Sequence, residues 1–199
     1  MDKQIILAIG REFGSGGREI ASLLSKHFDL PVYDKSILSN IASAKHVNPE
    51  TLYRYDEKPR NFLTSRHVHG FSSSLEENIA QMEFQYLRQK AESGESFIVL
   101  GRCGEEVLKD YRGLISIFVR STIGFKKKRT MDRDNTSEAD ALELMSKMDR
   151  QRKYYHNQYC HGKWGDSRNY DVCIDSSRLG ISGTAEILEQ YIQARISNL

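Results

Sequence analysis

The chain has 199 residues, 28% of them charged, and a formal net charge of +2. That near-balance gives no global electrostatic case for nucleic acid or an acidic membrane as partner, and the length fits one domain, 1–199, able to bury a core. The cysteines Cys103, Cys160 and Cys173 form no C-x-x-C pair and fit a reduced compartment; no run is apolar and long enough for a signal core or membrane span, so a cytoplasmic location is expected.

Ile5 to Ile9 reads as a buried strand. Gly14, Gly16 and Gly17 follow, and a helical pattern begins near Ile20, with Ala21, Leu23 and Leu24 on its apolar side. A strand, a glycine-rich turn and a helix N-terminus aim backbone N–H groups and a positive dipole end at one point, which suits a phosphate. The standard G-x-x-x-x-G-K-[ST] loop is not reproduced. With Gly16 in the second glycine slot, Gly17 stands in the lysine slot and Arg18 in the hydroxyl slot. Arg11 and Arg18 are the candidate replacements for the lysine charge, and Ser15 is the one hydroxyl inside the loop.

Leu30 to Asp34 reads as a short strand ending at a carboxylate, and Ser36 to Ala44 as a helix. Asn48-Pro49 is a helix start. Residues 60–74 are polar and rich in His, Ser and Gly, the least regular stretch. From Leu75 the residues Ile79, Met82, Phe84 and Leu87 follow helical spacing as far as Gly94. Phe97 to Leu100 is a buried strand running straight into Gly101-Arg102, and Leu114 to Val119 another, followed by Arg120. A helix from about Gly124 carries Lys126, Lys127, Lys128, Arg129 and Arg133; its lysines read equally well as a solvated face. Leu142 to Tyr155 reads as a second charged helix, Tyr170 to Asp175 as the last strand and Thr184 to Ile196 as the closing helix.

Strands alternating with helices predict an α/β three-layer sandwich: a parallel sheet of about five strands with helices on both faces. Ligands bind outside the carboxyl ends of such strands. That gathers the 11–18 loop, Asp34, Arg102, Arg120 and residues 175–178 at one edge. His46, His67 and His69, or His156 and His161 near Cys160, match no zinc spacing; they are read as solvent-facing, and no metal ligand is assigned. Tyr154, Tyr155, Tyr159 and Trp164 suit either base stacking or anchoring of a segment onto the core.

The loop from Gly10 to Ile20, the strand Leu30-Pro31-Val32-Tyr33-Asp34, Gly101-Arg102, and the stretch from Asp149 to Gly180 resemble the cytidylate kinase-like family, a branch of the nucleoside monophosphate kinase group of P-loop proteins. The likeness runs from Ile5 to about Leu188. It implies transfer of the ATP γ-phosphoryl group to a nucleoside monophosphate, CMP or dCMP first, with Mg²⁺. It also implies an acceptor-binding insert at about 36–94 and a helical lid at about 134–168. Carried over residue by residue, Arg102 holds the monophosphate. Asp149 orients the base or sugar side, and Arg152 of the same D-x-x-R clamps phosphate. Arg129 and Lys126 supply further charge, and Ser177 and Arg178 lie beside the adenine. Arg18, Arg129 and Arg152 are thus expected to be catalytic. Arg11, Gly14, Ser15, Gly16 and Gly17 complete the nucleotide site, with Asp34, Asp149 and Arg150 on the acceptor side. The R-D pair usual upstream falls on Met145-Ser146, leaving Arg150 as the extra lid arginine. Small-molecule nucleotides, rather than nucleic acid or membrane, are the expected partners. The lysine-less loop leaves two other readings open: a non-catalytic nucleotide sensor, and a kinase for another small acceptor.

Overall fold

The computed structural model describes residues 3–46, 48–54, 57, 67–68, 71–72 and 74–199. Strand β1 (Ile6–Arg11) is buried at every position, as a strand covered on both faces must be. Helix α1 (Gly17–Phe28) turns Gly17, Ile20, Ala21 and Leu24 inward at helical spacing. Then follow β2 (Val32–Tyr33), α2 (Ser36–Lys45) and α3 (Pro49–Tyr53), whose cap Asn48 accepts a hydrogen bond from the Glu50 amide at 2.9 Å. A two-residue antiparallel ladder, β3 (His67–Val68) with β4 (Phe71–Ser72), precedes α4 (Leu75–Glu92). Next come β5 (Phe97–Leu100), α5 (Gly104–Val107), β6 (Leu114–Arg120), α6 (Ile123–Asp134) and α7 (Glu138–Tyr159). A 3₁₀ turn (Ser167–Asn169), β7 (Val172–Asp175) and α8 (Gly180–Ser197) complete the chain.

The main sheet is parallel throughout, in the order β2-β5-β1-β6-β7. Counted along the chain this is 2-3-1-4-5, so the strand order reverses at β1 and opens a crevice at its carboxyl end. Alternation along β1 divides the core. Leu7 and Ile9 pack with Ile20, Leu24, Leu188 and Ile192 of α1 and α8, while Ile6 and Ala8 pack with Ile37, Ile79 and Leu87 of α2 and α4. These are the three expected layers.

The structure departs from the sequence reading mainly at element ends. β1 runs two residues further, because Gly10 and Arg11 still pair with Phe118 and Val119; a polar residue in a strand escapes an apolar-run criterion. The last strand shortens to Val172–Asp175, since Tyr170 turns into an aromatic cluster with Phe118 and Trp164 instead of pairing. α7 begins at Glu138, capped by Ser137 Oγ on the Asp140 amide at 3.2 Å, in a charged first turn that carries no apolar signal. α5 and the 3₁₀ turn are additions. The 60–74 stretch, with His69, lies mostly outside the described residues. Among the described residues, no helix is long and apolar enough to cross a membrane.

Gly16 fixes how the first loop enters its helix. It sits at φ +84 as the N-cap of α1, and a Cβ there would collide with Ile181 Cδ1 of α8. Gly16→Ala therefore meets both a backbone and a packing penalty and should lose at least about 1–3 kcal/mol in chemical denaturation, whereas Gly94→Ala, at φ +80 but with no neighbour within 4 Å, should lose less.

Candidate active site

Two cavities open at the carboxyl end of β1. The larger, about 250 Å³, lies over the glycine loop and is lined by Gly14, Gly16, Gly17 and Arg18 from the loop and α1, with Arg129 and Arg133 from α6. Arg18, in the first turn of α1, is largely exposed and pairs with Asp34 Oδ2 at 2.9 Å. Burial pushes the Asp34 carboxyl up, but the Ser36 amide and Arg18 outweigh it and hold it below its ordinary value. Arg129 reaches Glu19 at 2.7 Å, and the Arg133 guanidinium lies 4.8 Å from the Phe13 ring centre.

The smaller cavity, about 20 Å³, lies between the ends of β1 and β5 and the inner face of α7. Its wall includes Arg11, Arg102, Arg152 and Glu57, with Glu105 and His156 also bordering it. Glu57 Oε1 accepts from Arg11 Nη1 at 3.1 Å and from the Arg102 amide at 3.4 Å, and Arg152 Nε lies 3.9 Å from Oε2. Arg102, 2% exposed and at φ +53, donates through Nε to Glu83 of α4 at 3.0 Å and through Nη1 to the Leu100 carbonyl at 3.0 Å. Burial alone would raise the Glu57 pKa; Arg11, Arg102 and Arg152 overcome it and hold it at about 2. Burial and the neighbouring Arg11 lower Arg152 to about 10. One carboxylate sits among guanidiniums as an anionic ligand's oxygens would. The hydroxyl of Tyr155, buried on the same wall, finds no hydrogen-bond partner among the described residues.

Arg11 and Arg152 line both cavities. The wall that joins them is held by Asp149 and Lys126. Asp149 Oδ1 accepts from the Phe13 amide at 2.6 Å, and Lys126 Nζ donates to Asp149 at 3.3 Å and to Glu12 at 3.0 Å. Burial raises the Asp149 pKa against the pull of the Phe13 amide and Lys126. Lys126 is 7% exposed, so it does not belong to the solvated face on which Lys128 lies.

The other residues singled out in the sequence fall as follows. Ser15 is fully buried with its hydroxyl donating inward to the Glu12 carbonyl at 2.8 Å, away from the cleft. Arg150 is exposed and turned to Ser146 Oγ at 3.3 Å. Ser177 Oγ donates to Asp175 and Arg178 is exposed; their loop docks on the glycine loop through Ser176 Oγ, 2.6 Å from the Ser15 carbonyl. Tyr155 and Tyr159 pack with Phe84, and Trp164 with Phe118, so these aromatics anchor α7 and the segment after it. His46 and His161 face solvent, but His156 is 5% exposed and bonded to Glu105, against the solvent-facing expectation. Glu57, Glu83 and Glu12 had no sequence signal, because each is defined by a partner distant in the chain.

The sequence matches the cytidylate kinase-like family over residues 6–178. The chain belongs to this family. The cytidylate kinase-like fold is shared at 38% identity and a TM-score of 0.76 with an uncharacterized protein from Eubacterium ventriosum, covering 96% of this chain and 99% of that one. A cytidylate kinase from Methanococcus maripaludis strain C7 is 25% identical over 193 residues, 95% of this chain and 98% of its own length. The shikimate kinase of Bacteroides thetaiotaomicron, at 12% identity and TM-score 0.57 over 95% and 98% of the two chains, shares the fold. This cytidylate kinase-like chain is therefore a P-loop kinase fold whose loop has glycine in the lysine slot and arginine in the hydroxyl slot.

Neutralising Glu57 should expose what the arginines hold. Glu57→Gln should melt lower in anion-free buffer and recover more than the unaltered protein when inorganic phosphate is added, in thermal melts. The folded-state pKa lies below the ordinary 4.5, so the unfolded chain takes up this proton first. The contribution of Glu57 is thus complete above pH 4.5 and lost as the pH falls towards 2. The acid limb of the stability curve should be flatter in Glu57→Gln.

Proposed function

We propose that the protein transfers the γ-phosphoryl group of ATP to a nucleoside monophosphate, with CMP or dCMP as the first candidates. The observation that supports this best is the pair Arg11 and Arg152, which lines both the cavity over the glycine loop and the arginine-walled cavity beside it. A phosphoryl group passing between two anions needs positive charge at the shared boundary, because the transition state spreads negative charge over its equatorial oxygens.

On this reading the glycine loop and the first turn of α1 hold the ATP phosphates through backbone N–H groups. Their fit is supported by the cavity that Gly14, Gly16 and Gly17 line, in a loop where two of these glycines hold positive φ and all three pack closely on neighbouring elements. Arg18, Arg129 and Arg152 supply the charge, and residues 177–178 border the adenine. Arg102 and Arg11 take the acceptor phosphate, which displaces the Glu57 carboxylate. Residues 36–94 then form the acceptor-binding insert, carrying Glu57 and Glu83. Residues 134–168 form the lid, in which α7 brings Arg152 over the boundary and excludes water. The attacking phosphate oxygen is already anionic, so no general base is required. Magnesium fits the loop less well: Arg18 occupies the hydroxyl slot and Ser15 Oγ faces inward. Bound magnesium would supply countercharge to the nucleotide phosphates, and neither Arg18 nor Ser15 is placed to hold it.

Arg18→Ala removes an exposed guanidinium, so folding should survive while turnover falls about a hundredfold or more. Arg102→Lys keeps the charge but loses the fork and should raise the acceptor KM with less effect on kcat. The deciding assay is ADP formation from Mg·ATP against CMP, dCMP, UMP, AMP and GMP, with ATP binding measured separately by calorimetry. Turnover on a pyrimidine monophosphate supports the kinase. ATP binding without turnover favours the sensor reading, which the lysine-less loop also supports, and absence of ATP binding overturns both.

A further inference from the structure

A cluster of metal-type donors adjoins the acceptor cavity and takes no part in the phosphate chemistry above. Glu105, His156 and Cys160 each place one ligand atom within 4.8 Å of the others. His156 Nε2 lies 2.5 Å from Glu105 Oε1, and Cys160 packs against the buried cluster that contains Cys103. Cys103 and His156 are 3% and 5% exposed, and with Glu105 they border the acceptor cavity.

The donors come as two short pairs. Cys103 and Glu105 flank Gly104 at the start of α5, just beyond Arg102, and Cys103 is held in the left-handed region at φ +52. His156 and Cys160 are four residues apart at the end of α7, where Cys160 is the C-cap and its N–H bonds to the His156 carbonyl at 2.9 Å. That spacing puts both side chains on one helix face. Each pair is unremarkable in sequence; the fold brings Glu105, His156 and Cys160 within reach of one ion, with Cys103 beside them, by packing α7 over the end of β5.

We infer that Cys103, Glu105, His156 and Cys160 form a zinc site that pins the carboxyl end of α7 to the loop carrying Arg102. Two thiolates, an imidazole and a carboxylate are a borderline-soft set that suits Zn²⁺ over magnesium or calcium. Zinc bonds of about 2.0–2.3 Å space tetrahedral donors roughly 3.3–3.8 Å apart, so the close His156–Glu105 contact opens while the widest donor separations close. The far side of the imidazole is prepared for this. His156 Nδ1 lies 3.3 Å from Asn157 Oδ1, which the Trp164 amide also holds at 2.8 Å, so a zinc-bound Nε2 leaves Nδ1–H donating to a fixed acceptor. Zinc binding releases the thiol protons to solvent, as thiolate ligation requires.

The test is cobalt titration of the full chain, stripped with chelator and kept reduced. We expect a thiolate-to-cobalt charge-transfer band and the strong visible absorption of a tetrahedral site, both saturating at one equivalent and bleached by zinc. Cys173→Ser should leave the spectrum unchanged, Cys160→Ser should remove most of the charge-transfer intensity, and His156→Gln should weaken binding by about tenfold or more. A second readout needs no variant: zinc should protect the partly exposed Cys160, but not exposed Cys173, from alkylation followed by mass spectrometry. Folded, reduced protein that shows no cobalt–thiolate absorption overturns the site. So does absorption that survives Cys160→Ser, or alkylation at Cys160 that zinc does not slow.

Discussion

The constraint on which the rest of the structure turns is the desolvation of guanidinium groups at the carboxyl ends of the strands. Arg11 is 9% exposed and Arg102 is 2% exposed, with Arg152 close beside them. Like charges buried this near one another are tolerable only if carboxylates enter with them, and Glu57 and Glu83 do so from separate parts of the chain. Removing one partner from such a set costs about 3–5 kcal/mol, because the other is left charged and dry. A surface pair such as Lys128–Asp132 contributes about 0.3–0.5 kcal/mol. The arginine cluster therefore constrains where α3, α4 and α7 can sit relative to the sheet, and it does so by penalty more than by attraction. On the proposed reading the same cluster receives an anion, so structure and binding would draw on one set of charges.

Lys126 performs the complementary task on the other side of the loop. Its ammonium joins Glu12 of the loop to Asp149 of α7, and Asp149 in turn holds the Phe13 amide. The backbone that would wrap the nucleotide phosphates is thus tied to the helix that carries Arg152. Phe13 reinforces the tie, lying under the guanidiniums of both Arg133 and Arg152. A movement of α7 must carry the loop with it or break a buried ion pair, which couples the two cavities mechanically through a few side chains.

How far these features could be read from sequence depends on how local their causes are. The strands at Ile6, Phe97 and Leu114 were legible because burial on both faces leaves continuous apolar runs, and Asn48-Pro49 was legible because a cap acts within its own turn. The strand, glycine loop and helix at the start of the chain were legible from their order alone. Lys126 was not separable from Lys127 and Lys128, since what buries it arrives from Glu12, 114 residues away. Glu57 sits in a polar stretch with no periodicity, and its meaning lies in Arg11 and Arg102. Ser15 looked available because nothing in its neighbourhood says which way a hydroxyl turns. His156 looked exposed because its helix is charged throughout, and only the packing of α7 on α5 puts Glu105 against it.

The lysine-less loop follows from this geometry. A lysine ammonium is a compact charge on a flexible stem, and it must be delivered to the phosphates from within the loop itself. Here Gly17 holds that position, and a Cβ on it would press against Arg11 Cβ, so no longer side chain fits without displacing Arg11. Arg11 instead reaches the cavity from the end of β1, Arg18 from the first turn of α1, and Arg129 from α6, each as a planar fork. On the proposed reading, charge that other P-loops concentrate in one mobile ammonium is distributed here over guanidiniums on three elements. Such an arrangement would hold a nucleotide in place only when the elements are in register. That register is set by the arginine cluster, the Lys126 bridge and the contact between α7 and the Arg102 loop, so the chemistry of the loop is inseparable from the position of α7.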